Sequence, residues 1–115
     1  MPTKLKIAIA GAALGFIETA GIWFEADEPF PNFIVAAGIL NGVITALLIS
    51  AFVDDGASWR RALTVGGVSG LALAAIVFLA KGGWVSWDAP YVLPAGLVVG
   101  LILGPIVRRL TASRV

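Results

Sequence analysis

The stretch GAALGFIETAGIWFE, residues 11–25, surrounds one acid, Glu18, with glycine, alanine, aliphatic and aromatic residues. Extended back to Leu5, the apolar run covers roughly 5–24, close to the roughly 20 residues that a helix needs to cross a hydrocarbon core of about 30 Å. Lys4 and Lys6 precede it, as they would in a secretory leader. The run is too long for one, contains Glu18 and lacks a small-x-small cleavage site before the acidic loop. It therefore reads as a retained membrane span.

Three more apolar segments follow, at 33–53, 62–80 and 91–107, separated by EADEPFPN (25–32), DDGASWRR (54–61) and KGGWVSWDAP (81–90). Of the 115 residues, 59% are hydrophobic and 13% charged, with a mean hydropathy of +0.98. Soluble domains carry about 45–50% apolar and about 25% charged residues. The sequence thus predicts an all-α integral membrane protein, one transmembrane domain over 1–115 with four spans. The net charge of +1 and the scattered basic residues offer no nucleic-acid surface. Cysteine and histidine are absent, which excludes disulfides, thiolate nucleophiles, histidine bases and His/Cys metal sites. No nucleophile–base pair is visible, so the chain does not read as an enzyme, and the sequence calls for no cofactor and no metal.

The basic residues set the expected orientation. Lys4, Lys6, Arg60, Arg61, Arg108, Arg109 and Arg114 fall on one side of the four spans and only Lys81 on the other. This places both termini in the cytoplasm, in a bacterial inner membrane. Glu25, Asp27, Glu28 and Asp88 then form an acidic outer rim. Trp23, Phe24, Phe30, Phe33, Trp84, Trp87 and Tyr91 gather at the same boundary, as an interfacial aromatic belt does, with Trp59 alone at the inner one. Asp54-Asp55 before Gly56 reads as a turn near Arg60 and Arg61.

The two halves resemble each other. GAALGFIETAGIWF (11–24) lies over GGVSGLALAAIVFL (66–79) at an offset of 55, and NFIVAAGILNGVI (32–44) over PYVLPAGLVVGLI (90–102) at an offset of 58. The expected units are tandem hairpins, 5–53 and 62–107, in the same orientation, a parallel repeat. Each span carries small residues four apart: Gly11/Gly15, Gly38/Gly42, Gly66/Gly70 and Gly96/Gly100/Gly104. Such pairs let helices approach closely in lipid, where apolar burial drives little association. The long ridge of the fourth span could serve inside the bundle or meet a neighbouring subunit. Pro94 falls near the start of that span, and Pro105 is expected to bend or end it.

Glu18 is the residue that a purely structural account handles least well. An acid near the centre of a span costs at least about 2.5 kcal/mol, so it faces protein or water. Gly11, Leu14, Gly15, Glu18, Gly21, Ile22 and Glu25 form one helical stripe, which predicts that Glu18 shares the glycine face. Counted from Phe24 it lies about 9 Å below the outer boundary, and Asn41, counted from Phe33, about 12 Å. A Glu18–Asn41 hydrogen bond is therefore expected, with Thr45 and Ser69 at one level a turn deeper. Under the repeat, Glu18 corresponds to Leu73 and Asn41 to Val99. The alternatives are a bond that locks two helices, shallow solvation, and a proton or cation site.

In its size, four spans and first-span carboxylate the chain resembles the small multidrug resistance transporters. FIETAG reproduces no motif of that family, the charge bias opposes dual topology, and the glycines do not match the small fluoride channels. The sequence assigns no family. Two functions are expected from it: a homo-oligomeric transporter or channel with Glu18 as proton or cation site, or a non-catalytic accessory subunit that packs its glycine faces into a larger membrane complex.

Overall fold

A computed structural model of the chain describes residues 2–26, 28–54, 56–80, 82–85 and 89–112. The described residues form four α-helices and no strand: α1 (Thr3–Ala20), α2 (Pro31–Ser50), α3 (Trp59–Ala80) and α4 (Ala89–Ala112). A 3₁₀ turn, Gly21–Phe24, prolongs α1, and a second, Gly83–Val85, precedes α4. All four helices are long and apolar enough to cross a membrane. Only 17–33% of each apolar window is buried within the chain. The remaining apolar surface would be a liability in water and is what hydrocarbon requires, because a helix satisfies its own backbone groups there.

Local chemistry sets the helix ends. Pro31 occupies the first position of α2, where its missing N–H and fixed φ are tolerated. The Ser58 hydroxyl accepts the Arg61 N–H at 3.1 Å and opens α3, as an N-cap does. Gly82 and Gly83 have φ of 93° and 64°, a left-handed backbone that ends α3 and that side chains disfavour. The Asp54 carboxylate accepts the Gly56 N–H at 3.0 Å, so the expected turn forms there; Asp55 lies outside the described residues.

The helices pair as two antiparallel hairpins, α1 with α2 and α3 with α4, and contacts between the hairpins are sparser. Glycines make the pairing possible. A Cβ on Gly11 would overlap the Gly42 carbonyl oxygen, one on Gly15 the Gly38 carbonyl oxygen, and one on Gly42 the Gly11 carbonyl oxygen. In the second hairpin Gly66 meets Gly100, Gly70 meets Gly96, and Gly104 meets Ala62 in the same way. All nine glycines assigned to packing thus lie at contacts within a hairpin. The ridge of α4 is filled by α3 and is not left for a neighbouring subunit.

Where the hairpins meet, they meet at one end. The buried apolar cluster draws Ile7 from α1, Ala46 and Ile49 from α2, Ala62 from α3, and Val99, Leu103 and Val107 from α4, with Val53 and Ala57 of the connecting loop. Every member of α1–α3 lies in the half nearest Thr3, Ser50 and Trp59, hereafter the terminal end. Polar contacts fasten the same end. The Lys4 ammonium donates to the Ser50 hydroxyl at 2.8 Å, and the Arg61 and Arg108 guanidinium groups donate to the carbonyls of Phe52 and Ala57 at 2.9 and 2.6 Å. Arg108 also stands over the Trp59 ring, 5.1 Å from its centre, a cation–π contact. Arg108 lies in the turn after Pro105, and α4 runs through that proline to Ala112 instead of ending there.

Candidate functional site

At the opposite, distal end the hairpins leave a cavity of about 730 Å³ between them. All four helices contribute to its wall: Glu18 and Thr19 from α1, with Ile22 from the 3₁₀ turn that follows it, Phe33, Ala37 and Asn41 from α2, Ala74 and Val77 from α3, Tyr91 and Ala95 from α4. Glu25, Glu28 and Phe30 of the α1–α2 connection complete it. That connection is ordered by side chains. The Trp23 indole donates to the Asn32 side-chain Oδ1 at 2.8 Å, the Phe30 N–H donates to the Glu28 carboxylate at 3.2 Å, and the Trp23 ring meets Phe16 edge-on at 5.8 Å. Two acids of the expected rim therefore lie on the cavity wall; Asp27 and Asp88 lie outside the described residues.

The structure corrects the expected placement of Glu18. The face of α1 that meets α2 is Gly11, Gly15 and Thr19, with the Thr19 side chain seated on Gly38. Glu18 is one residue, about 100° of helix turn, off that line. Its side chain is exposed in the isolated chain and lines the space toward α4. The hydrogen bond expected between Glu18 and Asn41 is not formed, although both line one cavity. The physical reason is the Gly15–Gly38 contact. It sets the helix rotation by backbone proximity, and that rotation turns Glu18 out of the α1–α2 seam.

Thr45 and Ser69 are both buried and are not among the residues lining the cavity. The Thr45 hydroxyl donates to the Asn41 carbonyl of its own helix at 2.7 Å, the usual fate of a hydroxyl within an apolar helix. Thr19 does the same with the Gly15 carbonyl at 2.7 Å. Sequence reasoning passed over Thr19, yet it stands between Glu18 and Gly38 on the cavity wall. The signal was present: Gly11, Gly15 and Thr19 continue one spacing of four. Phe30, Phe33 and Tyr91 were assigned to the interfacial belt and also line the cavity.

A second, shallower groove of about 540 Å³ runs between α1 and α4. Leu14 and Ile17 form one side, Pro90, Pro94, Val98 and Ile102 much of the other. Glu18, Tyr91 and Ala95 line both the groove and the cavity. Among the described residues no group of three His, Cys, Asp or Glu side chains is placed to hold a metal ion. What converges here is the Glu18 carboxylate and the Asn41 carboxamide in an apolar, aromatic-edged space, with Glu25 and Glu28 on the wall supplied by the α1–α2 connection. That arrangement can attract a proton or a positively charged group and offers little to hold an anion. No protein-family model, no curated protein and no solved structure matches this chain.

Proposed function

We propose that this chain is a small membrane transporter or channel in which Glu18 is the proton or cation site and Asn41 an adjacent polar partner. The observation that carries the reading is the cavity: an intramembrane acid opens onto a space shared by all four helices instead of being used in a helix–helix bond. Acids within spans serve such roles by default. In this reading both termini face the cytoplasm of a bacterial inner membrane, and the distal cavity opens outward. The basic residues of the terminal end, among them Lys4, Lys6, Arg60, Arg61, Arg108 and Arg109, support that orientation.

The hairpins are proposed to be a tandem duplication. Residues aligned by sequence play matching parts: Gly11–Gly42 and Gly66–Gly100, Gly15–Gly38 and Gly70–Gly96 are equivalent contacts, and Thr19 sits on Gly38 as Ala74 sits on Gly96. Polarity has been placed in one copy only, at Glu18 and Asn41. The terminal-end cluster closes the single chain below the cavity. Passage across the bilayer then needs relative movement of the hairpins, a homo-oligomer that supplies a second wall, or both; we assign the homo-oligomer. The accessory-subunit reading relied on glycine faces free for a partner, and those faces are occupied within the hairpins.

The test is flux in liposomes. Glu18→Gln keeps shape and hydrogen-bonding capacity while removing the charge, and is expected to abolish proton-coupled cation flux with the fold retained. Unchanged flux in this variant would sink the assignment of Glu18. Native mass measurement in detergent should show one homo-oligomer of defined number, and a monomer would refute the oligomeric part.

A further inference from the structure

We infer that the terminal end carries a binding site for an anionic phospholipid, whose phosphate is held by the four arginines at the end of the second hairpin: Arg60 and Arg61 on α3, Arg108 and Arg109 on α4. The inference concerns the end opposite the cavity and is independent of the role given to Glu18. Its first support is that the hairpin brings these four residues to one place. A Cβ on Gly104 would overlap the Ala62 carbonyl oxygen, so the start of α3 and the end of α4 meet by backbone within about a turn and a half of every one of them. Arg108 reaches across that contact, standing 5.1 Å from the centre of the Trp59 ring and donating to the Ala57 carbonyl. Arg61 donates to the Phe52 carbonyl. Both bonds come from Nε, one of the five N–H donors of a guanidinium, so two of the four groups are fixed in position on the same connection between α2 and α3.

The second support is charge. The connection supplies two acids, Asp54 and Asp55, against four arginines and the two lysines of α1. Asp54 is turned to its own loop, where it accepts the Gly56 N–H. The first turn of α3 contains no acid, and Arg60 and Arg61 add to the positive end of that helix dipole, whereas Arg108 and Arg109 offset the negative end of α4. An anion seated between the two helix ends is drawn by all four charges. The ligand class follows from the place. Guanidinium forks match the oxygens of a phosphate, and at the headgroup level of a leaflet phosphate is presented by lipid. Trp59 is exposed beside the arginines, and Leu63 and Leu101, deeper in α3 and α4, are exposed too, so acyl chains continue onto surface that faces hydrocarbon. Basic pockets between spans hold anionic headgroups in this way. The first hairpin has no equivalent: Lys4 donates to the Ser50 hydroxyl, Lys6 is half-buried, and an ammonium lacks the fork.

The test is native mass spectrometry of the full chain in detergent, titrated with dioleoylphosphatidylglycerol, dioleoylphosphatidylcholine and, as a soluble phosphate, glycerol phosphate. Phosphatidylglycerol is expected to bind at least about tenfold tighter than phosphatidylcholine, and glycerol phosphate to show no binding over the same concentrations. Equal binding of the two lipids overturns the site, and binding of glycerol phosphate as tight as that of phosphatidylglycerol overturns the lipid as its source. This comparison in the unsubstituted chain stands whatever a variant does to the fold. The deciding comparison removes two charges from one hairpin or the other at the same end. Arg60→Gln/Arg109→Gln takes two exposed side chains and leaves the carbonyl bonds of Arg61 and Arg108 in place. It should weaken phosphatidylglycerol binding about tenfold, whereas Lys4→Gln/Lys6→Gln, an equal change of charge, should alter it by no more than about twofold. Equal losses in the two double variants would mean attraction by net charge alone and would overturn the site.

Discussion

Glu18 and Thr19 are adjacent in the chain and answer to different neighbours. Thr19 seats its methyl and hydroxyl on Gly38 and returns its proton to the Gly15 carbonyl, so it belongs to the α1–α2 seam. Glu18, about 100° further round the helix, belongs to the cavity. Asn41 occupies the comparable position on α2, one residue before the glycine that meets Gly11, and among the described residues its carboxamide makes no hydrogen bond while its backbone carbonyl accepts from Thr45. An amide held in a cavity wall without a structural bond can be removed with little effect on folding. Asn41→Val, which installs the residue found at the matching position 99 of the second hairpin, should leave the thermal midpoint unchanged or slightly raised. It should weaken cation dependence of flux about tenfold, the order expected when a hydrogen bond to a charged group is lost. A large drop in midpoint with normal flux would show instead that Asn41 is a packing residue.

At the scale of the elements, glycine contacts decide which faces meet. A Cβ on Gly42 would collide with the Gly11 backbone, whereas one on Gly21 would have nothing within 4 Å. Gly42→Ala should therefore destabilise the protein by about 1–3 kcal/mol, the range for overpacked sites, because the opposing atoms belong to the Gly11 and Gly15 backbone and not to a flexible side chain that could yield. Gly21→Ala, at φ of −62°, should be neutral or stabilising by up to about 1 kcal/mol through the lower entropy of the unfolded chain. Thermal unfolding of both variants in one detergent checks the pair, and equal shifts would contradict the close-approach account. The glycine spacing, the four helices and their approximate bounds were all legible in the sequence, because span length and small-residue period are local properties. The side of the stripe that meets α2 was not. In lipid, apolar side chains serve both the bilayer and the protein interior, so hydrophobicity does not separate the two faces and only residue size does. The stripe through Leu14 and Glu18 therefore looked continuous with that through Gly11 and Gly15, and only the packed hairpin distinguishes them.

For the whole molecule the controlling feature is that the hairpins are joined at one end and parted at the other. The sequence carried no sign of this, since it depends on how the loop residues Val53 and Ala57 pack under α4 and on Arg108 reaching the Ala57 carbonyl far away in the chain. The principal dimensions of 47 × 26 × 18 Å let the long axis span a bilayer of about 40–45 Å including headgroups, with the cavity in its distal half. Two kinds of contact then hold the protein: backbone proximity within each hairpin, and side-chain packing between hairpins around Leu103, which is fully buried. Leu103→Ala should destabilise by about 1–3 kcal/mol, less than the roughly 2–5 kcal/mol of soluble cores, because in lipid the lost term is mainly packing rather than transfer from water. Gly42 lies in the other kind of contact, against the Gly11 and Gly15 backbone of α1. If docking of the hairpins and closure within them are separable, the double variant Gly42→Ala/Leu103→Ala should show the sum of the two single effects to within about 0.5 kcal/mol. Unfolding in a graded detergent titration measures all three. A coupling well above that limit would mean that hairpin closure and hairpin docking form one cooperative unit, and the cavity could not then open and shut by rocking one hairpin against the other while each stays intact.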